Sequence, residues 1–497
     1  MPSSDRLSSL VLANMARDNV GRLKISRGQN IFDADFEYGK QPLRWDELTV
    51  GTASITHLPN NGGVRVSVGQ GAGDLAIRQS RPYHRYQPGK TLYMASGTVF
   101  GAAVTNNRQR VGFFDDGNGC FFEQGDPTAA NPSGMGVVRR SDSGGVPVDV
   151  RVDLPSWNGD PTIIAQIDWT RIQMVWVEYA WYGAGVIRFG VMLNGVQVTL
   201  HSMPIGNLAG QTRPWARTGN LPVRYELRNL EATSAASSLD HYGVSVLVEG
   251  GADDQRGFTY SAGTAAGATR TVSSNTTRFP VTTVRMRPMG VQASGDTAQT
   301  TTGGSTTTLV RSGASWTVNQ WAGWYCWISA GTGAGQMARI VSNTATTLTL
   351  VDAVTGGALG AAIGSGATYT IGYPSQGQLT PRRLIVSSTA ICTVELIVNA
   401  QTLTSVSYAS LASLGSTNSF AERDVSATAL TLGTGEVVFA FTAPAGGSGL
   451  QDIDVSFLFP LLNNIRGLSP DTLTVAVTTG ASASNIAAHL IMQEAMS

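Results

Sequence analysis

Charge is scarce in this sequence. Asp, Glu, Lys and Arg make up 14% of it, against about 25% in ordinary soluble proteins. The 34 basic residues balance the 34 acidic ones, so no positive surplus exists to bind a nucleic acid backbone. Lysine is almost missing: only Lys24, Lys40 and Lys90 occur, and arginine carries the remaining positive charge. Arginine suits interfaces and bidentate pairs, although a biased coding composition gives the same outcome. Three cysteines, Cys120, Cys326 and Cys392, stand far apart in the chain. An odd, scattered set argues against a disulfide framework or a metal knot and for folding in a reducing cytoplasm. No apolar run approaches the length of a membrane span, so no membrane partner is expected. Leu7 to Ala16 is too short and too polar for a signal peptide. His57, His84, His201, His241 and His489 have no triad-like neighbours. Phosphate loops, CxxC pairs, HExxH, GxSxG and regular repeats are all missing, and no cofactor or metal is expected.

What is present is β-structure. Hydrophobic residues reach 42% and come in strand-length runs, with 58 glycines between and around them. The clearest stretch is Ile167 to Asn194. Ile172, Met174, Trp176, Glu178 and Ala180 alternate with Gln173, Val175, Val177, Tyr179 and Trp181. A tight turn follows at Gly183-Ala184-Gly185, then a second alternating strand, then Asn194-Gly195 and a third strand, Val196 to Leu200. Alternation across Gly-containing turns predicts an antiparallel meander. Because neither face is uniformly polar, it is expected in the middle of a β-sandwich.

The layout expected from pattern and composition is all-β. Residues 1–28 form an N-terminal arm with a short helix over Ser3 to Asp18, Leu7, Val11 and Met15 sharing one face. Two readings of that arm stand side by side: a frayed terminus, or an anchor to a neighbouring subunit. Residues 29–231 form a β-sandwich. Residues 232–290 plus 379–497 form a second β-sandwich, which receives the strands near Leu239–Glu249 and Phe279–Met289. Residues 291–378 are an inserted β-module, Thr/Gly/Ala-rich but holding Trp316, Trp321, Trp324 and Trp327.

Several separated motifs resemble a family of tailed-bacteriophage virion structural proteins. They are Asp33 to Leu43 (DADFEYGKQPL) with Arg44-Trp45, Ile77 to Lys90 (IRQSRPYHRYQPGK), Phe113 to Gly119 (FFDDGNG) and the Ile172–Asn194 hairpin. TNSFAERDVSATAL and LSPDTLTVAV extend the likeness into the second sandwich, and WTVNQWAGWYCWISAGTGAGQ is similar to a short module of phage virion proteins. The resemblance implies that the 29–231 sandwich is a lectin-like β-sandwich (jelly roll), and it implies a virion setting, assembled in the host cytoplasm. It supplies no catalytic residue. The implied role is head decoration, neck or baseplate component, or tail fibre, acting through contacts with other virion proteins. The alternative is recognition of a host surface glycan by the N-terminal sandwich.

Individual residues follow from these readings. Tyr83, His84 and Tyr86, beside Arg81 and Arg85, are candidates for glycan or interface contacts; an edge strand with aromatics packed inward is the plainer account. Asp115 and Asp116 lie in a run that matches a calcium loop only loosely, and Asp-Gly and Asn-Gly are ordinary turn dipeptides. Leu7, Val11, Met15, Trp321 and Trp324 are candidate subunit contacts. Low charge and many strand edges suggest a homo-oligomer, with a trimer favoured. Asp153, Asp160, Asp168 and Glu178 were weighed as glycosidase carboxylates; nothing in the sequence pairs them, and the expectation is that the chain is not an enzyme.

Overall fold

The computed structural model describes residues 28–182, 185–207, 212–250, 257–265, 267–411, 418–446, 450–456 and 460–495. The N-terminal helix with Leu7, Val11 and Met15, and the Gly183-Ala184 turn, lie outside the described residues. The chain divides into two compact units, with the change near residue 253.

Among the described residues the first unit holds fifteen strands. In chain order they are β1 (Gln29–Ala34), β2 (Trp45–Val50), β3 (Ser54–Leu58), β4 (Gly63–Val68), β5 (Leu75–Ser80), β6 (Leu92–Val99), β7 (Asn107–Phe114) and β8 (Gly119–Gln124). There follow β9 (Met135–Ser141), β10 (Val148–Asp153), β11 (Gln173–Tyr179), β12 (Val186–Leu193), β13 (Val196–Pro204), β14 (Val223–Asn229) and β15 (Ser237–Val248). One sheet has the order β13-β12-β11-β6-β15-β4-β3, with β1 also paired to β15; the other has the order β10-β9-β8-β7-β14-β5-β2. All pairs are antiparallel, and the two sheets enclose a single core. This is a lectin-like jelly roll.

Period-2 alternation sends one set of side chains from each strand into that core. From the first sheet come Val175, Val177 and Tyr179 of β11, Ile187, Phe189 and Val191 of β12, and Val244, Val246 and Val248 of β15. From the second come Val111, Phe113, Cys120, Phe122, Val137, Tyr225 and Leu227. Burial of each large apolar side chain contributes roughly 1.5–3 kcal/mol.

The β11-β12-β13 meander forms with the expected turn. Leu193 pairs with Val196, and Asn194 and Gly195 take φ of 50° and 79°, which only a residue tolerant of the left-handed region adopts without strain. Its place differs from expectation: β13 ends the sheet, so the meander is an edge and not the middle. Its outward face is nonetheless covered around Trp176, while Met174 on the same face is exposed. Trp176, on the face away from the core, is buried and stacks on Tyr93 at 5.9 Å. Its ring lies over Gly190, where a Cβ would fall 2.3 Å from Trp176 Cζ2.

A second difference concerns β15. The Leu239–Glu249 segment was assigned to the second sandwich, yet β15 pairs with β6, β4 and β1 of the first. Its apolar alternation is the same in either location; only the partner decides.

In the second unit, a five-stranded sheet runs Phe258–Gly263, Ser484–Ala495, Gln378–Ser388, Gln451–Asp454, with Arg270–Val272 beside Ser484–Ala495. A six-stranded sheet runs Ala409–Ser410, Ala421–Asp424, Phe279–Met286, Thr472–Thr479, Cys392–Val398, Glu436–Ala443. Val284, Leu384, Val394, Leu396, Val475 and Leu490 pack between them. A separate eight-stranded sheet occupies Met289 to Pro374. Its two ends meet: Met289 pairs with Pro374, and the Ser375 N–H donates to the Pro288 carbonyl at 2.8 Å.

Candidate functional site

The Tyr83–Tyr86 run does not build a surface site. It forms no strand beyond one bridge between His84 and Leu221. His84 is buried between Phe32 and Phe113, with ring centroids 5.1 and 6.1 Å away, and burial pushes its imidazole down to about 3. Tyr86 is buried against Tyr179, Trp181 and Tyr182; Tyr83 is half-buried. The Asp115 run is a turn: Asp115 Oδ1 accepts from the Gly117 and Asn118 N–H groups at 2.8 and 2.7 Å. Asp116 instead faces Arg224 at 2.8 Å. No group of three His, Cys, Asp or Glu placed to hold a metal occurs among the described residues. Trp321 is buried, and half-buried Trp324 packs on Tyr373 at 4.9 Å.

The chemistry lies on the face of the second sheet turned away from the core. The alternation that sends Val111, Phe113, Cys120, Phe122, Tyr225 and Leu227 inward leaves Arg108, Arg110, Glu123, Arg224, Glu226 and Arg228 on the other side. These side chains form a continuous row of opposite charges. Arg224 Nη1 lies 2.8 Å from Asp116 and 3.2 Å from Glu226. Arg110 donates to Glu226 at 2.7 Å and to Glu123 at 2.6 Å. Arg151 donates to the other oxygen of Glu123, and its Nε reaches Asp153 at 2.9 Å.

The middle of the row is buried, and a buried charge is tolerated only when paired. Burial alone would raise the Glu226 carboxyl, but Arg228, Arg110, Arg224 and Arg140 outweigh it and hold the group well below the usual carboxylate range. Burial would likewise lower the Arg110 guanidinium, and Glu123 and Glu226 reverse that. The row is therefore a fixed lattice of donors and acceptors, with Glu226 and Arg110 held in their charged forms.

At one end the row opens into a cleft of about 400 Å³, whose lining includes Arg108, Glu123, Asp126, Asn131, Arg151 and Asp153. Exposure rises from the floor to the mouth: Glu123 is 6% exposed, Asp126 41% and Asp153 60%. Arg108 grips Asp126 through two bonds of 2.7 and 2.9 Å, and that contact first of all lowers the Asp126 carboxyl. Arg151 lies across Gly136, where a Cβ would come 2.7 Å from the guanidinium carbon, and it also donates to the Gly134 carbonyl at 2.7 Å. Any larger residue at 136 would lift Arg151 off its partners.

Of the four weighed carboxylates, only Asp153 reaches this cleft. Asp160 caps a helical turn at Thr162, Asp168 accepts from Thr170, and Glu178 is buried on the opposite sheet near Arg188. Glu123 and Asp126 had not been singled out. The signal was present as charges at every second position: Arg224, Glu226, Arg228 on β14 and Asp149, Arg151, Asp153 on β10.

No protein-family model matches the sequence, and no curated protein matches it. Among solved structures, an endo-1,3-beta-glucanase from Streptomyces sioyaensis is similar at 11% identity, over 44% of this chain and 96% of that one, with a TM-score of 0.30. The Emp47p carbohydrate recognition domain gives the same four figures. A Bacteroides ovatus GH16 protein bound to a G4G4G3G product is similar at 9% identity, over 44% of this chain and all of that one, TM-score 0.30. The jelly roll is read from this chain's own sheets, and no activity is transferred from these proteins. One expectation is corrected: the similar structures include glycoside hydrolases, so the chain is not set apart from enzymes. Glu123, Asp126 and Asp153 line one cleft.

Proposed function

We propose that the N-terminal sandwich binds carbohydrate in the cleft between Glu123, Asp126 and Asp153. The observation that carries this reading is the balance of the lining. Three carboxylates and two guanidiniums line it together with Thr128, Asn131 and Ser156, leaving the five charged groups with one negative charge in excess. Such a wall repels anions and offers paired acceptors and donors to hydroxyl groups, each of which both gives and takes a hydrogen bond. The volume falls within the range of small-molecule sites. The row behind it fixes the floor, so little ordering accompanies binding.

The test is retention of neutral oligosaccharides on an array, followed by calorimetry on the purified chain. Asp153→Asn and Thr128→Ala, both at the mouth, should weaken binding at least tenfold with an unchanged unfolding temperature. Failure to retain any neutral glycan at millimolar concentration overturns the reading. Release of reducing sugar by the wild type would add hydrolysis to binding.

The setting we propose is a tailed-phage particle that meets a host surface glycan. Its support is the ordered likeness at Asp33–Leu43, Ile77–Lys90 and Ile172–Asn194. Antibody labelling of purified particles tests it, and absence of the chain from them would end it.

A further inference from the structure

Strand β10 is the last strand of its sheet, with β9 as its one partner among the described residues. Natural edges are guarded by lysines, bulges or covering loops. β10 has none of the first two: its sequence is VDVRVD, and its register with β9 runs unbroken from Val148↔Ser141 to Asp153↔Gly136. It is also exposed on its apolar side. Val146, Val148 and Val150 are 47%, 60% and 41% exposed, in line with Val152, whose partner Val137 lies in the core. A row of valines thus runs from the core out to an open edge.

From this edge we infer that two copies of the chain pair through β10, antiparallel, about a twofold axis at Val150. The sequence selects the partner and the register. Centred on Val150, Asp149 of each copy meets Arg151 of the other, Val148 meets Val152, and Val150 meets itself. Centring on Asp149 sets two carboxylates face to face. Centring on Arg151 sets two guanidiniums together and Asp149 against Asp153. Any axis between residues puts valines opposite charges, which the pleat forbids on an apolar face. Centring on Val152 sets Arg151 against Asp153 but carries Val150 onto Leu154, beyond the strand, so the ladder is cut short. Only the Val150 register matches charge and apolar face from Val148 to Val152, and opposite charges across strands stabilise a pair whereas like charges oppose it. Asp149 already takes two 2.8 Å bonds from Arg140, and Arg151 already serves Glu123 and Asp153. Both are therefore held in place, and pairing adds a second partner to each. Pro147 carries no N–H and closes the ladder at Val148. The axis is twofold, unlike the threefold arrangement expected from sequence.

The test uses the full chain. Sedimentation equilibrium should give a dimer, and Val150→Lys should give a monomer with the same unfolding temperature. Val150→Cys should cross-link its own copy rapidly under mild oxidation, whereas Val148→Cys, which faces Val152, should not. Cys120, Cys326 and Cys392 are buried and contribute little background. A monomeric or trimeric wild type overturns the inference. So does a dimer that survives Val150→Lys, or one in which Val148→Cys cross-links as fast as Val150→Cys.

Discussion

The imidazole of His241 lies flat on the ring of Tyr225, with centroids 3.8 Å apart and planes 11° apart. Phe36 meets the imidazole edge-on at 4.9 Å, and its Nε2 has no hydrogen-bond partner. Burial, and then the neighbouring Arg78, hold its pKa well below the ordinary histidine value. A base depressed in the folded state is neutral there and charged in the unfolded chain once pH falls below about 6.5. Stability is therefore full above that pH and declines below it, by about 1.4 kcal/mol per pH unit for each such group. His84 acts in the same direction. His241→Phe should leave urea stability at pH 7.5 nearly unchanged and make its decline between pH 6.5 and 5 shallower, with His84, His201 and His489 supplying what remains. An unaltered slope would remove His241 from the account.

Glu226 ties Arg110 and Arg224 together in the buried charge row. Glu226→Gln leaves both guanidiniums short of a counter-charge, and breaking a buried pair this way costs roughly 3–5 kcal/mol. The loss should show as an earlier urea transition of the first sandwich. Because the Glu226 carboxyl is depressed in the fold, its contribution is present above its unfolded pKa and lost as pH falls through the folded one. The gap between wild type and variant should accordingly narrow in strong acid.

Asp296 plays the comparable part in the eight-stranded sheet. Its carboxylate accepts from Trp316 Nε1 at 3.1 Å, from the Tyr369 hydroxyl at 3.2 Å and from Arg311 at 2.9 Å. Asp296→Ala strands those donors and should cost roughly 3 kcal/mol. Red-shifted tryptophan emission at a lower temperature, with the strands of the sandwiches still intact by circular dichroism, is the expected signature.

The adjacency of Pro288 and Ser375 makes this sheet removable. Deleting residues 289–374 and joining the ends through a short Gly/Ser linker should leave the second sandwich folded, since loop closure grows slowly with length. The bond between Arg466 and Asp352 at 2.8 Å would be lost, at a cost of up to about 1 kcal/mol. Loss of cooperative unfolding in the remaining sandwich would show instead that the sheet is integral to it.

Local chemistry in the sequence was legible and long-range pairing was not. Asn194-Gly195 announced its turn because positive φ is a property of those two residues. β15 was sent to the wrong sandwich because a strand's alternation reports a buried face without naming the partner. The cleft was missed for a related reason. Arg108, Glu123 and Arg151 come from three strands, and charges on separate strands read as solvated until the register places them side by side.

Strand β1 has a consequence for the order of events during synthesis. Among the described residues it pairs only with β15, about 200 residues later in the chain. At the usual pace of a ribosome that interval lasts about 10 to 40 s. Throughout it, the backbone of Phe32 and Ala34 lacks the strand it pairs with, although Trp45 and His84, which flank the Phe32 ring, have already emerged. The nascent first sandwich therefore waits, open along one seam, in the company of whatever chaperones attend it, and closes when the residues beyond Ser237 emerge.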